Sequence, residues 1–179
     1  MMKLIILSFC FLNIHTASGQ QIFMKVNDPF FTRLDQNDSK SGYIELNGLT
    51  YETALRSEFE FDITSSRISS KPSLLTIYLP YGNYTVPLFK HMYNSTVGTK
   101  LEIIFTTLRD GINYETYQTL KFDNFIIASI EPNGLDDVKV TLQFEKFYIE
   151  NSMYNANGYL GQKTSFGWDF IEGQTWSGL

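Results

Sequence analysis

Cysteine occurs once in this chain of 179 residues, at Cys10, and histidine only twice, at His15 and His91. One thiol cannot close an internal disulfide, so any fold here rests on a packed core, which a domain of this length can supply. Basic side chains are outnumbered, 14 against 19 acidic, for a net charge of −5. No run of Lys or Arg offsets that balance, so a phosphate backbone is repelled and nucleic acid is excluded as a partner. The longest apolar run, Leu4 to Ile14, is too short and too interrupted to span a membrane. Neither a "GxSxG" elbow nor an "HExxH" pair occurs, and there is no linker, repeat or heptad to mark a second domain.

The opening "MMKLIILSFCFLNIHTASGQQ" sets Lys3 before an apolar stretch and ends it with Ala17, Ser18 and Gly19. That is the layout of a secretory signal peptide, residues 1–19, cut after Gly19 to leave a mature domain of residues 20–179. A buried first helix is the competing reading. A lipoprotein reading of "LSFC" fails, because Phe9 is bulky where a small residue belongs. Cleavage removes Cys10 and His15 and places the protein outside the cytoplasm, extracellular or periplasmic. It also leaves no thiol as nucleophile or ligand.

Aromatic residues are abundant, at 16% with 11 Tyr and 15 Phe, which suits half-buried pleated surfaces. "QIFMKV" reads as a first strand. "GYIELNGLTYE" reads as a second that bends or turns at Asn47-Gly48. "EFEFDITSS" alternates Phe59, Phe61 and Ile63 against Glu58, Glu60 and Asp62. "SLLTIYL" follows as a strand, and "TVPLFKHMYNST" as one short helix with Pro87 in its first turn and Leu88, Phe89 and Met92 on its apolar face. "KLEIIFTTLR" closes at Asp110-Gly111, a hairpin signal, and "TYQTLKFDNFIIASIE" turns through Pro132, Asn133 and Gly134.

The most regular stretch is "DDVKVTLQFEKFYIEN". Val138, Val140, Leu142 and Phe144 alternate with polar residues, then the phase slips at Lys146 before Phe147 and Ile149. One extra residue, a β-bulge, produces such a slip. From Ser152 the chain is Asn- and Gly-rich and reads as a C-terminal tail, 152–179. Seven to nine strands and one helix, mostly in antiparallel hairpins, predict a β-sandwich or a closed barrel.

His91 is the sole histidine after the leader, and a lone helix histidine is a surface or half-buried residue rather than a base. The Glu58, Glu60 and Asp62 row has the residue type glycosidases use, but like charges on one strand face more simply make a solvated edge. Asp136-Asp137 lacks the alternating acidic loop of a calcium site. No catalytic residue, metal ligand set or cofactor is nominated. Sequons stand at Asn37, Asn83 and Asn94 as candidate N-glycosylation sites. Trp168 and Trp176 admit a sugar-stacking role and, more simply, a tail latched onto the core.

In this order the strands resemble the Hcp family, the hemolysin-coregulated proteins that form the inner tube of type VI secretion systems. The likeness rests on "IFMKV", "GYIELNGLTYE", "EFEFDITSSRIS", "VPLFKHMYNSTVGTKLEIIF", the pair "YQTLKFDNFIIASIEPNG" and "VKVTLQFEKFYIE", and the ending "GWDF", in which Gly167, Trp168 and Asp169 match the family's closing motif. It runs from Gln21 to Trp176. The resemblance implies a mostly β fold, an antiparallel β-barrel of two sheets with one short α-helix. It also implies homohexameric rings stacked into a tube, with sheath, spike and effector cargo as partners, and no enzymatic activity. By the same resemblance, the segment from Asn47 to Ser57 is the loop that reaches a neighbouring ring, with Tyr51 and Arg56 as its contacts. Tube subunits need no leader. Either residues 1–19 are not one, or the chain is an Hcp-like domain used as a secreted protein. The alternative function is a secreted β-sandwich module that binds glycans or proteins through exposed Tyr and Trp.

Overall fold

The computed structural model describes residues 20–26, 42–52, 73–109, 113–154 and 160–178. Residues 1–19, where a leader is expected, Asn37, Arg56, Glu58, Glu60 and Asp62, and the hairpin signal at Asp110-Gly111 lie outside the described residues. In chain order the elements are β1 (Gln20–Val26), β2 (Ile44–Leu46), β3 (Gly48–Glu52), β4 (Ser73–Pro80), α1 (Thr85–Tyr93), β5 (Gly98–Arg109), β6 (Asn113–Asn133), β7 (Asp137–Tyr154), β8 (Leu160–Asp169) and β9 (Gln174–Thr175).

The long hairpin of β6 and β7 organises everything else. β6 runs along one edge of β7, from Gln118 opposite Asn151 to Asn133 opposite Asp137. The other edge of β7 is shared: β4 takes Asp137 to Phe144, and β8 takes over from Lys146. The changeover falls at Glu145, whose carbonyl accepts the Phe170 N–H at 2.9 Å. Across the hairpin stands Asn124, in the left-handed region with φ 51, donating its side-chain amide to the Glu145 carboxylate at 2.8 Å. Asparagine tolerates that conformation better than most residues. At the bend the hydrogen-bonded sheet branches: β4 and β3 continue from the first half of β7, and β8 and β9 from its second half, while β6, β5, β1 and β2 follow along the opposite edge.

All pairings are antiparallel. The hydrogen-bonded path starts at β2 and ends at β3, and those two are separated only by Asn47. Asn47 donates its backbone N–H to the Tyr78 carbonyl at 2.9 Å, and its side chain reaches Asp137 at 2.5 Å. The chain itself therefore joins the two ends of the path. The bend expected at Asn47-Gly48 is this corner. The rest of the segment expected to form a loop begins as strand β3, with residues 53–57 outside the described set.

The phase slip in β7 has a different cause from the expected bulge. The β6–β7 register is unbroken from Phe125 opposite Phe144 to Asp123 opposite Lys146, so no extra residue enters there. Both strands bend together at Asn124 and Glu145, and Phe144 and Phe147 both turn inward. Register breaks occur elsewhere: between Ile127 and Ser129, between Phe105 and Thr106 where Tyr117 is the extra residue, and between Ser152 and Tyr154.

The core is continuous, and its centre is aromatic. Phe122 meets Phe144 edge-on at 4.7 Å and Phe147 at 5.6 Å. Helix α1 closes one side through Leu88, His91 and Met92 rather than through Phe89, which stays on the outer face. His91 is therefore buried, not half-exposed, and its ring stacks on Phe125 at 6.0 Å. A Cβ at position 98 would collide with the same Phe125 ring, so glycine is required where β5 begins.

Candidate assembly surface

Cross-strand rows show where the core stops. One row reads Ile44, Met24, Ile103, Leu120, Ile149 and Phe166 across six strands. Met24, Ile103 and Leu120 in its interior are sealed, the last two at 0% exposure, Ile149 is half-buried, and Phe166 at its end is 56% exposed. Phe166 lies on β8, a strand whose residues Gly161 to Phe166 are all exposed. β9 covers the outer edge of β8 only at Trp168 and Asp169. Among the described residues the edge beyond is unpaired, so an apolar core row ends on open backbone donors and acceptors. In the next row, polar Gln118, Asn151 and Thr164 take over, with Gln118 donating to Asn151 at 2.9 Å.

The closing motif fixes the inner end of this edge. Gly167 has room for nothing larger, because a Cβ would run into the Trp176 carbonyl and the Tyr148 ring. The Trp176 N–H donates back to the Gly167 carbonyl at 3.0 Å, and its indole meets Tyr148 edge-on at 6.4 Å. Lys121 completes the clasp by donating to the Gly178 carbonyl at 3.1 Å while lying over the Tyr148 ring. Trp168 is half-buried and stacks with Phe166 at 6.5 Å.

Asp169 ties the clasp to the barrel. It is buried, pairs with Lys146 at 3.1 Å, and accepts the N–H groups of Ile171 and Glu172 at 2.9 and 3.0 Å. Burial pushes its carboxyl upward, but the Glu172 N–H, the Lys146 ammonium and the Ile171 N–H together outweigh that and hold it below the usual range. A carboxyl that titrates lower when folded stabilises fully above the unfolded value, about 3.9, and loses that contribution as pH falls through its folded value. We expect Trp176 fluorescence to report release of the clasp below about pH 4, with Asp169→Asn abolishing this acid step. An unchanged acid transition in that variant would refute the role.

The other nominated residues sit as follows. Tyr51 faces inward from β3 in a row with Leu75, Leu142 and Ile127, its ring 5.8 Å from Phe147, and burial pushes its phenol up. Asn83 and Asn94 are exposed at opposite ends of α1. Asp136 and Asp137 stand at the β6–β7 turn. Among the described residues, no three His, Cys, Asp or Glu side chains gather as metal ligands, and no helix is long and apolar enough to cross a membrane. Phe166 is not among the residues nominated from sequence, although its spacing of two from Trp168 is a strand signal.

No protein-family model and no curated protein matches the chain. Solved structures do. Hcp1 from Salmonella typhimurium superposes with a TM-score of 0.67 at 17% identity, over 88% of this chain and 99% of that one. A type six secretion system protein gives 0.66 at 14%, over 87% and 98%. The secreted protein Hcp3 from Pseudomonas aeruginosa gives 0.59 at 14%, over 84% and 99%. With nearly the full length of each aligned, the fold of this chain is an Hcp-like β-barrel of two sheets with one helix.

Proposed function

We propose that this chain is a non-enzymatic structural subunit that assembles with copies of itself into hexameric rings stacked as a tube, in the manner of type VI secretion Hcp proteins. The observation that carries the reading is the row ending at Phe166 on an unpaired strand edge. A strand from a neighbouring copy, laid along Gly161 to Phe166, would satisfy the open backbone groups and cover the ring in one step. Gly167, Trp168 and Asp169 serve this reading by anchoring the end of that edge. We assign the contact between stacked rings to the segment from Asn47 to Ser57, with Tyr51 and Arg56 as its contact residues.

Sheath, spike and effector proteins are the partners of such a tube. With residues 1–19 acting as a leader, the subunit is secreted and assembles outside the cytoplasm. Glycans at Asn37, Asn83 or Asn94 would then sit away from β8 in the chain. Light scattering on the purified chain tests the reading. We expect six times the mass of one chain; a strict monomer at high concentration contradicts it.

A further inference from the structure

The far end of the β6–β7–β8 sheet holds a cavity of about 280 Å³, whose lining includes Gly161 and Lys163 at the start of the β8 edge. Two register breaks shape it. Tyr117 is the extra residue of β6, and the β7–β8 ladder slips between Ser152 and Tyr154. Bulges of this kind bend a strand and re-aim its side chains, here turning a flat sheet end into a concave one.

The lining has both halves of a hydrogen-bonding site. Thr119, Ser152 and Lys163 supply donors, while Glu150 supplies acceptors. Lys163 pairs with Glu150 at 2.7 Å, which holds both groups in place and leaves the wall without net charge. That pairing pulls the Glu150 carboxyl down and the Lys163 ammonium up, so both stay ionised through the neutral range. A phosphate would meet the Glu150 carboxylate, and a cation would meet Lys163. Tyr117 adds a half-buried aromatic ring, braced from behind by Phe105 at 6.2 Å.

We propose that this cavity binds a neutral polyhydroxylated ligand the size of one sugar ring, its apolar face on Tyr117 and its hydroxyls on Glu150, Lys163 and Ser152. Ligand sites generally combine an aromatic wall with a few fixed polar groups in this way.

The test is saturation-transfer NMR on the full chain with glucose, galactose and N-acetylglucosamine as separate probes. At least one should receive saturation. Ser152→Arg, which fills the cavity from a polar strand position, should abolish that signal. Lys163→Ala should weaken binding about tenfold, the loss of one charge-assisted hydrogen bond. Circular dichroism confirms that each variant is folded. Silence from all three sugars overturns the proposal, and so does equal transfer in folded Ser152→Arg.

Discussion

Phe122→Ala is expected to cost about 3–5 kcal/mol, the range for emptying a buried phenylalanine site. Phe122 is 1% exposed and stands between Phe144 and Phe147 at the bend where β7 leaves β4 for β8. Neither neighbour can collapse into the space easily, since Phe144 is also held by Phe170 and Phe147 by Tyr51. Against a total stability of about 5–15 kcal/mol, the loss lowers Tm by roughly 10 °C or more. Thermal melts followed by circular dichroism measure it. A change of under about 1 kcal/mol would mean that the two sheets do not share this aromatic centre.

Phe166→Asp is expected to do the reverse, leaving the fold intact and removing the assembly. The ring is already largely in water in the single subunit, so its loss costs the monomer little. In the assembled state it would be buried at the centre of a strand-to-strand contact, where truncating an aromatic anchor costs about 2 kcal/mol or more, roughly 30-fold in affinity. The new carboxylate adds the cost of burying a charge without a partner. A closed ring carries the defect at each junction, so light scattering should show monomers while circular dichroism and Tm stay close to wild type. Hexamers of undiminished stability in this variant would place the subunit contact elsewhere.

These predictions differ because core and edge are legible to different degrees. Strands with one face buried announce themselves: Val138, Val140, Leu142 and Phe144 alternate inward, and each lies in the core. The helix was legible from Pro87 and the apolar spacing, though not which face it buries. His91 outcompetes Phe89 because it falls between Leu88 and Met92 on the side turned to Phe125. The slip at Lys146 was visible, but its cause needs a second strand. Only the pairing shows that Asn124 bends opposite Glu145.

The sequence of β8 looks like a tail because neither of its faces is buried from Gly161 to Phe166, and alternation exists only where one face is. The property that makes β8 a candidate interface is the one that hides it. The clasp is similar. Gly167 and Asp169 stood out by resemblance, whereas the reason for them, a returning chain at Trp176 and two N–H groups on a buried carboxylate, depends on contacts formed after the chain turns back.

Amide hydrogen exchange along β8, compared at low and high protein concentration, tests the subunit contact most directly. Alternate amides from Gly161 to Phe166, those turned away from β7, should exchange freely in dilute solution and become protected as the mass rises. Free exchange of these amides at every concentration, in a sample that does form hexamers, would contradict it.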